Sequence, residues 1–399
     1  MDPFEIYIGG EKLEGWTSAT LERKRKDLTG SMTIEVFFTY LPKSVIMQGV
    51  KAGKDIIAYV GGNVAFTGSL DSRKGKGKVT KKGKKGKPTT ISSTSVSSSI
   101  DSESYKITLT ARGKTKKLID SSHDHPTGQM RETTVKQIVD KLVESFKIKV
   151  IDDSEDSDTV ERATFRDGAT VHSEIHRYSR EHNSIAHEDV NGNLKITKDS
   201  NAGSGDDLIL GENILEFSAE QSEDKANNKI TVKGQRTGHK HHGRDAIDRK
   251  ITITDSSVEG YSPLVVQLLG DASDVRLKKR AKLEADKRTQ ESKEITIDVF
   301  HVQTPSGAPW DLNKTHYVEI PPEGIFDEFV VTELKYEVNA NDTIKTTLTL
   351  SPPASKDGAK KKSDATAKGA ARKAANAPAN SASPSYPDSW TSGTTTVQP

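Results

Sequence analysis

The chain has 399 residues and a mass of 43.5 kDa, a length that suits roughly two to four domains. Hydrophobic residues make up 32% and the mean hydropathy is −0.66, so one large core with every residue ordered is excluded, and some of the chain is expected as solvated loop or tail. There is no cysteine, which removes disulfides, thiolate metal sites and Cys nucleophiles.

No run of 18 apolar residues exists, so stable membrane insertion is not expected. Met1-Asp2-Pro3-Phe4-Glu5 has neither a basic nor an apolar leader region, and the expectation is a protein made and kept in a cytoplasm. The net charge of +2 hides a segregation. Residues 73–87 (RKGKGKVTKKGKKGK) hold nine basic residues and no acid, and residues 353–399 hold seven basic and three acidic. Without those two segments, 43 basic residues face 54 acidic ones, a net charge near −11. The part expected to fold is therefore acidic, and pI is a poor guide to partners.

In chain order, Ile6 and Ile8 alternate with polar neighbours, Gly9-Gly10 turns the chain, and Leu13 and Trp16 continue. Thr20–Arg23 and Met32–Phe38 read as two strands. Asp55–Val60, Gly61-Gly62-Asn63 and Val64–Leu70 carry a hairpin signature. Residues 71–103 are Lys/Gly and then Ser/Thr with almost nothing to bury, and are expected as a disordered basic insertion at a hairpin tip. Tyr105–Arg112 resumes the strand pattern.

Residues 133–147 predict a helix capped by Thr133 or Thr134, with Val135, Ile138, Val139, Leu142, Val143 and Phe146 on one face. A second helix fits 169–183, and Asn191-Gly192-Asn193 turns into a strand at Leu194–Thr197. The acidic run 152–161 between the helices is expected as a solvated loop. Residues 214–233 predict a strand pair, 236–250 a His/Lys/Arg-rich stretch, and 274–290 a charged helix. Strands are expected at 294–303, 315–320, 328–338 and 343–351, and a disordered tail at 353–399.

A search for chemistry finds little. His239, His241 and His242 lie beside Lys240 and Arg244, which repel a cation, so they read as an exposed basic loop. His123 and His125 sit near Pro126 and Gly128 and read as linker. His172 and His176 have i,i+4 spacing but lack the Glu of an H-E-x-x-H motif, so packing is the expected role. Residues 74–87 lack a P-loop ending, and Asp152, Asp153, Glu155, Asp156 and Asp158 lack the Gly of a calcium loop. No nucleophile, base and oxyanion donor assemble, so no catalytic residue, metal site or cofactor is expected. The loop 73–87 has the charge to bind phosphates but no aromatics for base stacking.

Two stretches share an order of elements: a strand pair (Leu13–Phe38; Ile214–Lys233), a short strand, a Gly-containing turn and a longer strand (Asp55–Leu70; Thr315–Val338), and a closing strand reading (I/T)-T-L-T (Tyr105–Ala111; Thr343–Leu350). The expected fold is α+β, predominantly antiparallel β, with two similar tube-like β-barrel domains, a helix-containing domain between them and a disordered C-terminal tail. The expected limits are 1–118 for the first barrel (71–103 a disordered loop), and 119–203 for the middle domain, with 240–293 as its candidate completion. The second barrel takes 204–239 plus 294–352, and the tail 353–399. Two unrelated antiparallel domains are the alternative.

Three groups of segments together carry a resemblance. They are Ile6–Ser18 with Met32–Phe37, Gly53–Val60 and Phe66-Thr67-Gly68; the helix 133–147 with Thr170–Asn183 and Asn191–Thr197; and Trp310-Asp311-Leu312 with Tyr317–Ile320 and Thr346–Pro353. Their order and spacing resemble the baseplate hub proteins of Mu-type contractile-tailed bacteriophages, the gpP-like tail protein family. The resemblance covers most of 1–353 and departs at 71–103 and in the tail. It implies a homotrimeric ring whose twin domains let three copies match a six-fold tail tube on one face and a three-fold central spike on the other. It implies contacts with baseplate wedge or sheath-proximal proteins and a channel that DNA transits without specific binding. It further implies a virion location in the tail baseplate, assembly in the host cytoplasm, and no catalysis. Alternatives are the hub of a related contractile injection particle of the tailocin type and a nucleic-acid-binding protein acting through 73–87; a cell-wall or polysaccharide hydrolase ranks last.

Overall fold

The computed structural model describes residues 4–38, 50–80 and 102–353, with gaps at 155–156, 183, 199–202, 223, 225, 236–247, 256–257, 259 and 340–342. The first part is built from β1 (Phe4–Ile8), β2 (Glu11–Lys12), β3 (Trp16–Lys24), β4 (Ser31–Phe38), β5 (Asp55–Val60), β6 (Asn63–Thr80) and β7 (Ser102–Gly113). A middle layer follows: α1 (Lys116–Asp120), β8 (Gln129–Thr134), α2 (Val135–Val143), β9 (Val150–Asp153), β10 (Thr159–Thr164), α3 (Val171–Glu181), β11 (Ser184–Glu188) and β12 (Leu194–Lys198). The last part contains β13 (Leu208–Ile209), β14 (Ile214–Gln221), β15 (Lys229–Gln235), β16 (Asp248–Thr254), β17 (Pro263–Asp271), α4 (Asp274–Ser292), β18 (Lys293–Val299), β19 (Thr315–Ile320), β20 (Ile325–Asn339) and β21 (Ile344–Ser351).

One 13-stranded sheet dominates, in the order β14-β18-β21-β20-β3-β4-β7-β6-β5-β1-β2, with β19 and β13 branching from β20. The pairings along this path are antiparallel, and side chains alternate between core and solvent, as in β1 and β3. A single apolar core runs under both halves, from Phe4, Ile6 and Leu21 to Leu334, Tyr336 and Leu350. The prediction of mostly antiparallel β holds. The expectation of two separate barrels does not, because the path is open and no strand pairing among the described residues closes either half. The edge of β3 is satisfied by β20 instead, through Ser18–Lys24 against Asn339–Glu333.

The two halves nevertheless follow one plan. The first runs β3-β4-β7-β6-β5 and the second β14-β18-β21-β20-β19. Thr108-Leu109-Thr110 of β7 oppose Glu35-Ile34-Thr33 of β4, and Thr347-Leu348-Thr349 of β21 oppose Asp298-Ile297-Thr296 of β18. The bulges recur in place. One falls between Trp16 and Ser18 on β3 and between Ile214 and Glu216 on β14. The other falls between Leu70 and Ser72 on β6 and between Val331 and Glu333 on β20. A bulge re-aims a strand at a defined point, so matched bulges bend both halves alike.

Several sequence expectations need correction. Residues 214–233 are not a strand pair: β14 pairs with β18, whereas β15 pairs with β16 and β17 in a separate three-stranded sheet. The true partner of β14 follows an insertion that leaves at Ser222 and returns at Ser292, whose backbone groups are bonded at 2.9 Å. Alternating Ile230 and Val232 fit either partner, so periodicity alone could not separate them. Residues 71–80 are not loop but the second half of β6, exposed at 71–76 and laddered to 102–110 of β7, because backbone bonding needs no apolar side chains. The two ends of the acidic run 152–161 are likewise strand, Asp152-Asp153 in β9 and residues 159–161 in β10. The expected strand 294–303 stops at Val299. The remainder of the basic loop, 81–101, most of the 236–250 stretch and residues 354–399 of the tail lie outside the described residues.

The middle layer packs Ile138, Val139 and Leu142 of α2 and Ile175 and Tyr178 of α3 around Ile196 and Leu194. The helix limits come from local chemistry. Thr134 is the N-cap of α2: its hydroxyl accepts from the Gln137 N–H while the Gln137 side chain accepts from the Thr134 N–H. Thr170 caps α3 through its hydroxyl alone, which accepts from the Ser173 N–H at 3.2 Å. Leu28, from the short β3–β4 connection, plugs this middle core and ties it to the large sheet.

Candidate assembly surface

The joint between the halves is set by β3 and β20. Leu21, fully buried, lies opposite Tyr336, which is 2% exposed, and Ala19 lies opposite Val338. On the solvent face Glu22 lies opposite Lys335, and Lys24 Nζ reaches Glu22 at 2.8 Å and Glu333 at 3.1 Å. The hydrogen bond with Glu22 raises the Lys24 ammonium above its usual value against the effect of burial. The bond shared with Glu333, and then Lys24, hold the Glu22 carboxyl low, whereas burial pushes Glu333 up.

A buried polar clamp fixes the end of β3 to the middle layer. Arg23 donates to the Glu188 backbone oxygen at 3.2 Å, and Arg25 donates to Asn313 Oδ1 at 3.1 Å and Gln290 Oε1 at 2.9 Å. Asn313 in turn donates to Thr197 Oγ1 and the Lys198 carbonyl. The Glu188 carboxylate accepts from the N–H groups of Gly30 and Thr115, both at 3.1 Å, and from the Thr29 hydroxyl. Burial raises its pKa despite those donors. Gly113 is required beside it, since a Cβ there would stand 1.6 Å from Glu188 Oε2. Sequence reasoning missed this clamp, because its members are scattered from Arg23 to Asn313 with no motif.

Several strand edges are unpaired among the described residues, and two of them belong to the repeated strands of the large sheet. β14 bonds β18 along its length and Leu210 only at Ile214, leaving the rest of its outer edge open, with Glu216, Ser218, Ala219, Glu220 and Gln221 exposed. β6 pairs with β5 as far as Ser69; beyond it, one edge bears Arg73, Lys74, Gly75 and Lys76, all exposed. One free edge is acidic and the other basic.

The histidines singled out by sequence are dispersed. His239, His241 and His242 fall outside the described residues. His123 Nε2 lies 2.8 Å from the Arg166 carbonyl, and the rings of His123 and His125 pack on Phe165. His172 and His176 stack at 5.7 Å on α3, and burial lowers both, His176 to about 4. Among the described residues no group of three or more His, Asp or Glu is arranged to hold a metal ion.

Comparison with known proteins places this architecture. Residues 115–198, the middle layer, match the family model for the second domain of gp44-like baseplate hub proteins. The chain is related to the baseplate hub proteins of Mu-type phages. It is 25% identical over 358 residues to the baseplate hub protein gp44 of Escherichia phage Mu, covering 87% of each. Its fold is similar to the 43 kDa tail protein of prophage MuSo2 from Shewanella oneidensis, with a TM-score of 0.72 and 24% identity, covering 88% of this chain and 98% of that one. It is also similar to a tail protein from Neisseria meningitidis MC58, with a TM-score of 0.68 and 18% identity over 88% and 96% of the chains. The hub family's second domain thus coincides with the layer held by the Glu188 clamp.

Proposed function

We propose that this chain is a structural hub of a contractile tail baseplate, acting as a homotrimeric adaptor in the virion. The observation that carries the reading is the repeated strand plan, with matched register and matched bulges, inside one polypeptide. Three copies present six tube-like units, which suits a six-fold tail tube. The insertion and the middle layer occur once per chain, which suits a three-fold central spike and the surrounding baseplate proteins. Closed cyclic assemblies need matching patches at every contact, and an internal repeat supplies them.

The acid excess outside the two basic segments supports a DNA channel that repels phosphates, so that DNA slides through without specific binding. The division into a first β unit, a middle layer and a second β unit is proposed with it, the second unit built from 204–222 and 293–353 rather than from 204–239. Assembly in the host cytoplasm belongs to the same reading. A reconstruction of the assembled particle tests it: a ring of three copies around a hollow axis, between tube and spike, is expected. A single copy, or a peripheral position, refutes it. A tailocin-type particle would show the same ring without a capsid. Removing 73–87 tests the nucleic-acid alternative, which requires steeply salt-dependent DNA binding to vanish with that segment.

A further inference from the structure

A basic cleft of about 610 Å³ opens at the seam between the large sheet and the middle layer. Segments from β5 and β6, the start of α1, the approach to β9 and the β11–β12 turn converge on it. Its lining holds five lysines, Lys114, Lys116, Lys117, Lys147 and Lys149, against two carboxylates, Asp55 and Asp71. Outside the two basic segments the chain carries a net charge near −11, so this gathering of lysines runs against the character of the body that bears it. We propose that the cleft docks an extended acidic segment of a partner protein, with an apolar side chain of that segment seated on Phe146 and Ile148.

Most of the positive charge in the cleft has no internal partner. Asp71 accepts from Arg112 Nε at 2.9 Å and from Lys116 Nζ at 3.2 Å, which neutralises both Asp71 and Lys116. Lys114 Nζ meets a neutral acceptor, the Asn191 carbonyl, at 3.3 Å. Lys147 and Lys149 are exposed and form no ion pair or side-chain hydrogen bond among the described residues, and Lys117, also exposed, lines the same cleft. Within the cleft that leaves the ammonium groups of Lys114, Lys117, Lys147 and Lys149 against the carboxylate of Asp55. Like charges around a concave wall focus a positive field and draw in anionic groups. The backbone holds the lysines in place. Gly192 is buried with φ of 82°, and a Cβ there would stand 2.6 Å from Lys114 Cδ, so only glycine lets the lysine stem lie across the turn. Lys147 closes the turn Glu144–Phe146 at a left-handed φ of 56°, a position that ordinarily selects Gly or Asn.

The chemistry favours peptide carboxylates over a phosphate backbone. Lysines present point charges, whereas phosphate recognition favours the bidentate fork of arginine. The neighbouring Arg112 is held by Asp71 and, at 2.8 Å, by Asp120. Asp55 repels a run of phosphates but accepts from a peptide N–H. Phe146 and Ile148 are only partly buried against the middle core, so both offer apolar surface to an incoming side chain. Such docking requires no particular number of copies, so its failure leaves the three-copy ring standing.

A short fluorescein-labelled peptide of glutamates around one leucine serves as probe, titrated against the full-length protein at low salt and followed by anisotropy. Binding is expected, and Lys147→Glu with Lys149→Glu should weaken it about tenfold. Lys74→Glu with Lys76→Glu, the same charge change on the separate basic edge, should leave it unchanged. Exchanging the probe's leucine for serine should weaken binding about threefold, as should Phe146→Ala. Carbodiimide, which joins a carboxylate to an ammonium group it touches, should couple the probe to Lys147 or Lys149, located by mass mapping. The charge-reversed positions are exposed, and circular dichroism checks that every variant folds. No binding, equal binding by the wild type and the Lys147→Glu, Lys149→Glu variant, or coupling confined to 73–87 overturns the proposal. So does a short DNA duplex that binds more tightly than the peptide and is lost in that variant, which would make the cleft a phosphate site.

Discussion

Leu21→Ala is the sharpest test of whether the two repeats form one cooperative unit. Leu21 is fully buried on β3, between Met32 of its own repeat and Tyr336 of the other. Removing the equivalent of three buried carbons forfeits about 2.4 kcal/mol of transfer energy. The residual cavity adds a further 1–2 kcal/mol or so, because strands held on both sides relax little. A loss of about 3–4 kcal/mol corresponds to a roughly 150- to 1000-fold fall in the folded-to-unfolded ratio. Trp16 reports on the first half and Trp310, 2% exposed, on the second. With Trp390 and one of these two replaced by Phe, denaturant titrations followed by fluorescence read each half separately. The single core and the β3–β20 ladder require both reporters to move together by the same amount. If the Trp16 transition shifts while the Trp310 transition stays where it was, the halves are independent and the continuity argument fails.

Other outcomes follow from the same geometry. Burial lowers His187 to about 4, so His187 binds fewer protons in the folded chain than in the unfolded one as pH falls from about 6.5. Stability is then complete above the unfolded value and drops by about 3 kcal/mol as pH falls to about 4; His187→Gln should flatten that part of a melting-temperature profile. Thr134→Ala removes half of the α2 capping box and should cost about 1 kcal/mol, measured by urea titration, while Thr134→Ser should cost far less. Gly113→Ala drives a methyl into the pinned Glu188 carboxylate and should cost about 1–3 kcal/mol, whereas Gly113→Ser should do no better; limited proteolysis should then release the middle layer first. Replacing 223–291 with a short turn should preserve the large sheet, because Ser222 and Ser292 are already bonded, and an unfolded product in circular dichroism would show that the insertion is integral to it.

Much of this fold is legible in single residues. The Gly61-Gly62 turn, with φ of 56° and 81°, sits where the hairpin signature puts it, and the α2 face and its Thr cap follow from spacing alone. The repeat is legible as well, but on a different segment from the one first aligned. Met32-Thr33-Ile34-Glu35-Val36 corresponds in register to Ile295-Thr296-Ile297-Asp298-Val299. That near-identity lies across a 70-residue insertion, and Lys229–Lys233, closer in the chain, offered a plausible alternation. What the sequence could not yield is edge chemistry. Whether a Lys/Gly run is loop or ladder depends on which backbone lies beside it, and β7 supplies that partner from beyond residue 101. The clamp was hidden for a related reason: burial makes Arg23, Glu188 and Asn313 important, and burial is a property of packing, not of composition.

The position of the insertions gives the repeat its asymmetry. In the first unit β3 and β4 are joined by six residues, one of which, Leu28, is spent as a plug into the middle core. In the second unit the equivalent connection carries β15, β16, β17 and α4, with Arg276 and Lys279 of α4 paired to Glu181 and Asp158 of the middle layer. The extra mass of both insertions therefore gathers into one body per chain, braced through α4 and through Glu188. Around a ring of three, six nearly equal β units would alternate with only three such bodies. In the proposed ring the sheet would carry six-fold character and the decoration three-fold character, since one insertion follows β7 and the other interrupts the β14–β18 connection, each once per chain. A symmetry mismatch handled this way needs no deformation of the β units, only that one repeat grow a loop which the other keeps short.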